Sequence, residues 1–228
     1  ILIFFWYPAP HFSASGGWQG LKIAASVDLV LGPLLTFIVF DPDKTKKKLI
    51  GDLVIIALIQ IFALAWGVNT IYQQRPVSIV FWEDGFYSVP ASAFKKDEFD
   101  ANYWQQKSEQ SPPLIYAEKP QTNEGLIALA DVIAEKKIAP HHQVSLYRPL
   151  SLHFTDIQHS QIDIKEVTSI NVKMRADLEK ILLQTGTQQQ DYLFFPLYSK
   201  YQNIILLFDK KGILQNYISV PHRPQNNE

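Results

Sequence analysis

Leu21 to Phe40, LKIAASVDLVLGPLLTFIVF, and Leu49 to Ile71, LIGDLVIIALIQIFALAWGVNTI, are two apolar stretches separated by the polar run Asp41-Pro42-Asp43-Lys44-Thr45-Lys46-Lys47-Lys48. An α-helix rising ~1.5 Å per residue needs roughly twenty apolar residues to cross a ~30 Å hydrocarbon core. Both stretches meet that length, so the chain reads as an integral membrane protein. A mean hydropathy near zero conceals this because it averages an apolar part, 1–72, with a polar part, 73–228.

Upstream, Ile1-Leu2-Ile3-Phe4-Phe5-Trp6-Tyr7 is wholly apolar, begins without Met and closes on two aromatics of the kind that sit at membrane interfaces. It reads as the far end of a further span whose beginning lies upstream, ended by Pro8-Ala9-Pro10. A short hydrophobic terminus or signal-peptide remnant is the alternative, weighed against the lack of a small-residue cleavage pattern. The expected architecture is three transmembrane helices (1–7, 21–40 and 49–71), an α+β domain with an antiparallel sheet over 73–220, and a disordered tail over 221–228.

Lysines set the orientation. Lys44, Lys46, Lys47 and Lys48 lie in the loop between the two long spans, whereas the Pro8 to Gly20 loop holds no Lys or Arg. Short loops rich in Lys stay in the cytoplasm, which places the carboxyl-terminal domain on the outer side, in a bacterium the periplasm. The net charge of −1 gives no electrostatic footprint for nucleic acid. With no cysteine in the chain, thiol catalysis and disulfide scaffolding are excluded.

Among the polar residues inside the spans, Asp28, Asp52, Gln60 and Asn69 are the candidates for a role. Asp28 and Asp52 stand about 20 Å apart along the membrane normal, too far for a catalytic dyad, while Gln60 comes near the depth of Asp28 and can bond to it. Such groups either hold the protein's own helices together or recognise a foreign one. Asp52, at the amino end of its helix and beside the lysines, suits the helix dipole. Gly32-Pro33 frees a backbone carbonyl and lets a neighbouring helix approach closely.

The outer domain offers little chemistry. Val77–Trp82 and Phe86–Val89 flank a hairpin turn at Glu83-Asp84-Gly85, and helices are expected around Leu126–Ala134, capped by Thr122 or Asn123, and around Met174–Leu182, ended by Gly186. Tyr192–Tyr198, Asn203–Phe208 and Ile213–Val220 read as strands, the last two joined by a turn at Asp209-Lys210-Lys211-Gly212. His141-His142 read as surface residues rather than metal ligands. His153, Asp156 and His159 fall close together without a Gly-rich turn to present a nucleophile. No Gly-rich phosphate loop occurs, and no catalytic, cofactor or metal residue is assigned. Phe99, Tyr103 and Trp104 read as a helix face packed on the core.

Trp6-Tyr7-Pro8, Asp28 with Gly32-Pro33 and Thr36, the lysine loop, Asp52-Leu53, Gln60 and Arg75-Pro76-Val77, in this order, resemble the type IV pilin accessory proteins of the TfpX/TfpZ (FimB-like) kind. The resemblance is close over about the first ninety residues and looser beyond. It implies a non-enzymatic, multi-pass inner-membrane protein that binds the major type IV pilin, through its membrane helix and periplasmic head, and supports its stability or assembly. The pilus assembly platform is a second partner in that picture, and no cofactor is implied. Asp28, Gly32, Pro33, Thr36, Asp52 and Gln60 are then the partner-binding or intramembrane packing positions, and Trp6, Tyr7, Arg75 and Pro76 mark the interface. Two other classes stand beside it: a membrane enzyme acting on a lipid-linked or pilin substrate, and a periplasmic ligand sensor.

Overall fold

The computed structural model describes residues 45–220 and individual positions between Phe12 and Phe37. Helix α1, Lys46–Gln73, begins three residues before the expected third span and ends two after it. At ~1.5 Å per residue it is about 42 Å long, matching a bilayer with its headgroup layers. Among the described residues it alone is long and apolar enough to cross a membrane. The expected span at 1–7 lies outside the described residues. So does most of the one at 21–40, where the described positions, among them Leu21, Ala25, Leu29, Pro33 and Phe37, are helical and exposed. The tail expected at 221–228 also lies outside them.

After Gln74 and Arg75 the chain enters a seven-stranded sheet. Its strands are β1 (Pro76–Trp82), β2 (Gly85–Pro90), β3 (Leu114–Ala117), β4 (Tyr147–Pro149), β5 (Tyr192–Tyr198), β6 (Ile204–Asp209) and β7 (Leu214–Ser219), in the order β4-β3-β1-β2-β5-β6-β7. The sheet is mixed, which corrects the antiparallel expectation: β1 pairs parallel with β3, and β2 parallel with β5. The β1–β2 hairpin leaves the chain at the end where β1 began, 91–113 carries it past β1 to enter β3 from that same end, and 150–191 carries it from the end of β4 back to the end at which β2 began. Those crossovers carry helices α2 (Ala101–Gln105), α4 (Leu150–Ile157), α5 (Ile164–Ile170) and α6 (Val172–Thr185); α3 (Asn123–Lys136) joins β3 to β4.

Side-chain alternation divides the strands between two faces. Ile79, Phe81, Phe86, Phe195, Leu206 and Phe208 form one core under α4, whose Leu150, Phe154 and Ile157 recur at helical spacing. Phe86 stacks on Phe208 at 5.4 Å and meets Phe195 edge-on at 5.8 Å, arrangements that the ring quadrupole favours. The opposite face carries two separate cores. Val80, Trp82, Val89, Ile115 and Tyr147 pack with Trp104 of α2 and Leu129 of α3, and Phe194, Ile205, Leu207 and Ile218 pack with Ile164 of α5 and Met174, Leu178 and Ile181 of α6. The division of this second face leaves a seam along the β2–β5 pair.

Local signals account for the helix ends. The Thr122 hydroxyl accepts from Gly125 N and so caps α3, as the sequence predicts, and Asn171 Oδ1 accepts from Met174 N to start α6. Gly186, at φ 66°, takes the left-handed conformation that ends α6. The β6–β7 turn is tied by Asp209 Oδ1, which accepts from Lys211 N and Ile213 N.

Candidate functional site

The sequence points to the membrane segment, and α1 carries a pattern there. Leu49, Asp52, Ile56, Gln60, Ala63, Gly67 and Ile71 are its sheltered positions, with Ile56 only 6% exposed, while Phe62 and Trp66 on the other sides are about 70% exposed. The stripe recurs every three or four residues and repeats every eleven, from Leu49 to Gln60 to Ile71, close to the natural pitch of a helix. Asp52 and Gln60 therefore share one face, about 12 Å apart along the axis. Gly20 lies against this stripe, where an added Cβ would stand 3.1 Å from Ile71 Cγ1. The face bearing the two polar side chains is the more sheltered one, and the bulky Phe62 and Trp66 are exposed away from it, the arrangement that suits a membrane-spanning helix.

Of the other residues singled out in the sequence, Asp28, Gly32, Thr36, Trp6 and Tyr7 lie outside the described residues, and with Asp28 the bond expected to Gln60. Pro33 is helical and exposed. Lys46, Lys47 and Lys48 occupy the first turn of α1, where the dipole disfavours positive charge; the helix thus begins six residues before Asp52, which lies beyond the first turn and not, as expected, where the dipole favours it.

Arg75 and Pro76 form the joint between helix and sheet. Arg75 Nη1 donates to Tyr72 O at 2.7 Å, and its guanidinium lies 3.6 Å from the centre of the Tyr72 ring. Ala91 N donates to Arg75 O at 2.9 Å, and Gln74 Nε2 donates to Ser92 Oγ at 3.2 Å. Pro76, buried, opens β1 opposite Pro90. The end of α1 is thus fastened to the end of β2 as well as to β1. Beside this joint a cleft of about 440 Å3 opens, walled by Tyr72 and Arg75 on the helix side and by Phe94, Lys95, Lys96 and Phe99 on the other.

The histidine pair is placed otherwise than expected. His141 and His142 lie in a 3-10 turn, Pro140–His142, and both are half-buried rather than on the surface. The turn packs over the seam of the sheet, where the His141 ring stacks on Tyr87 at 4.3 Å and Tyr87 meets Tyr198 at 5.1 Å. Burial, with the neighbouring His142, lowers the His141 pKa to about 4, so the ring is neutral at neutral pH. Burial and then Asp84, which accepts from the Tyr87 hydroxyl at 3.2 Å, raise the Tyr87 phenol to about 12. Neither group changes protonation near pH 7, so the stack is suited to packing rather than proton transfer.

His153 Nδ1 lies 3.0 Å from Asp156 Oδ2 on α4, and its ring stacks on Tyr116. Among the described residues no three His, Asp or Glu side chains converge as a metal-binding group. Trp104 is buried, Phe99 stacks on Phe94 at 4.7 Å, and Tyr103 is half exposed, so the aromatic run is only partly a core face. Sequence reasoning missed Lys95 and Lys96, which line the same cleft as Arg75. Their signal was a lysine pair following an aromatic, about twenty residues from the membrane exit.

No protein-family model and no solved structure matches the chain. Fimbrial assembly proteins of Dichelobacter nodosus do match it. The one of serogroups C1 and C2 is 38% identical over 98 residues, which cover 43% of this chain and 75% of that protein. The one of serogroup E1 is 38% identical over 98 residues and the one of serogroup I 38% identical over 81 residues. Those matches cover 43% and 36% of this chain and only 38% and 32% of the two relatives' own length.

Proposed function

This chain belongs to the family of fimbrial assembly proteins, and on that premise we propose that it is a non-enzymatic accessory protein of the bacterial inner membrane that binds the major type IV pilin and supports its stability or assembly into pili. The supporting observation is the fastened joint between an apolar helix and a sheet domain. A pilin, as the sequence resemblance has it, is a membrane helix carrying a periplasmic head. A partner in which α1 passes into the sheet without a loose linker presents surfaces at both levels in a fixed relation. The lysines around the start of α1 favour a periplasmic sheet domain, level with the pilin head.

Within the membrane, the polar and close-approach positions Asp28, Gly32, Pro33, Thr36, Asp52 and Gln60 are the proposed contact or packing set. The test is capture of the full chain from mild detergent, followed by measurement of co-purified major pilin. Gly32→Leu is expected to reduce capture more than Asp52→Ala at matched expression, because added volume blocks helix approach outright, whereas a charge near the membrane surface is screened. Failure of the unaltered chain to retain pilin overturns the proposal. Undiminished capture by Gly32→Leu removes the membrane-helix contact from it.

A further inference from the structure

We propose that the cleft beside the Arg75 joint binds the phosphate-bearing headgroup of an anionic phospholipid from the bilayer that α1 crosses. Three cations, Arg75, Lys95 and Lys96, line the cleft, and no carboxylate does. Of the acids in the same segment, Asp97, Glu98 and Asp100, none lines the cleft. Glu98 Oε2 accepts from the Lys95 backbone N at 2.9 Å, and Asp100 Oδ1 caps α2 by accepting from Asn102 N and Tyr103 N. A chain segment of mixed charge, Lys95 to Asp100, is thus sorted so that only its positive members meet the cleft.

Position selects the ligand's source. Tyr72 and Gln73 belong to the last turn of α1, and a helix about 42 Å long ends within the headgroup layer. Tyr72, Phe94 and Phe99 give the cleft an apolar wall continuous with the helix surface, suited to the glycerol and upper acyl region, while the cations meet the phosphate. Arg75 is held in advance by its bond to Tyr72 O and its seat over the Tyr72 ring. One guanidinium N–H is engaged there, and the planar fork suits bidentate contact with phosphate oxygens. A zwitterionic headgroup brings its own cation into a cleft that already holds three, so phosphatidylglycerol is preferred to phosphatidylcholine.

The proposal rests on α1 spanning a bilayer and not on pilin binding, so either can fail alone. The full chain in neutral detergent is mixed with phosphatidylglycerol, phosphatidylcholine or inorganic phosphate, and bound lipid is counted by native mass spectrometry. Phosphatidylglycerol should be retained in preference to phosphatidylcholine and should not be displaced by millimolar phosphate. Lys95→Gln with Lys96→Gln should weaken retention about thirtyfold, from the effect per lysine expected near a membrane surface. The same change at Lys210 and Lys211, in the β6–β7 turn, should leave it unaltered. If the double variant is unstable, Arg75→Lys, which keeps the charge but loses the fork, should also weaken retention. Equal retention of the two lipids, displacement by phosphate, or full retention by a folded cleft variant overturns the assignment.

Discussion

The rings of Tyr87 and His141 lie 4.3 Å apart and within 8° of parallel, so a turn between α3 and β4 closes the seam of the sheet through one aromatic contact. Burial keeps that imidazole neutral, with its pKa lowered to about 4 against an unfolded value near 6.5. Between these values the unfolded chain binds more protons than the folded one. The contribution to stability is complete above about pH 6.5 and is lost as pH falls toward 4, and His142, lowered by its own burial, acts in the same direction. The thermal midpoint of the full chain should fall between pH 7.5 and pH 4.5, with His141 accounting for at most about 3 kcal/mol. His141→Phe, which retains a flat ring, should flatten that dependence; an unchanged slope would count against the placement.

Tyr147 secures the same turn from below. Its hydroxyl donates to His141 O at 2.7 Å, and its ring is buried among Trp104, Phe94 and Phe99. Tyr147→Phe should cost about 1 kcal/mol, the worth of one hydrogen bond, and Tyr147→Ala about 3–5 kcal/mol through the cavity. Denaturant unfolding of the two variants separates these effects, and equal losses would mean that the ring contributes little.

Gly212 combines a positive φ of 87° with contact against the core: an added Cβ would lie 2.6 Å from the Phe154 ring. Gly212→Ala should lose about 3 kcal/mol, since backbone strain and displacement of Phe154 act together. Thermal unfolding checks this, and a loss below about 1 kcal/mol would show that the β6–β7 turn moves freely away from α4.

Orientation is tested by reporter fusions. A reporter after Lys46 should be active in its cytoplasmic form, and one after Asn226 in its periplasmic form, because Lys44, Lys46, Lys47 and Lys48 cluster between the two long apolar stretches while the Pro8 to Gly20 loop holds no Lys or Arg. A cytoplasmic carboxyl terminus would overturn the proposed location of the sheet domain and with it the meeting with a pilin head.

Legibility in the sequence followed the distance over which each feature is encoded. β1, β2, β6 and β7 were readable because short turns at Glu83-Asp84 and Lys210-Lys211-Gly212 set their limits, and α3 and α6 because their caps and spacing coincide. Four-residue β3 and three-residue β4 are too short for alternation to register. In α4, the core spacing of Leu150, Phe154 and Ile157 was present, but His153 and Asp156 drew attention to chemistry instead. Parallel pairing was illegible because nothing local fixes which strand a long crossover returns to. The stripe on α1 was half visible: Asp52 and Gln60 stood out as polar, while Ala63 and Gly67 did not.

Placing the β1–β2 hairpin at the centre of the sheet has a consequence for how the domain comes to exist. Its two strands are the first part of the sheet to be synthesised and the part tethered to the membrane helix. Each then offers one open edge: β3 and β4 complete one side by residue 149, and β5, β6 and β7 complete the other only after residue 191. Chain order therefore lets the sheet grow outward from α1 in two unequal stages, and the edge of β2 stays bare until β5 arrives, the interval in which a second chain could pair with it.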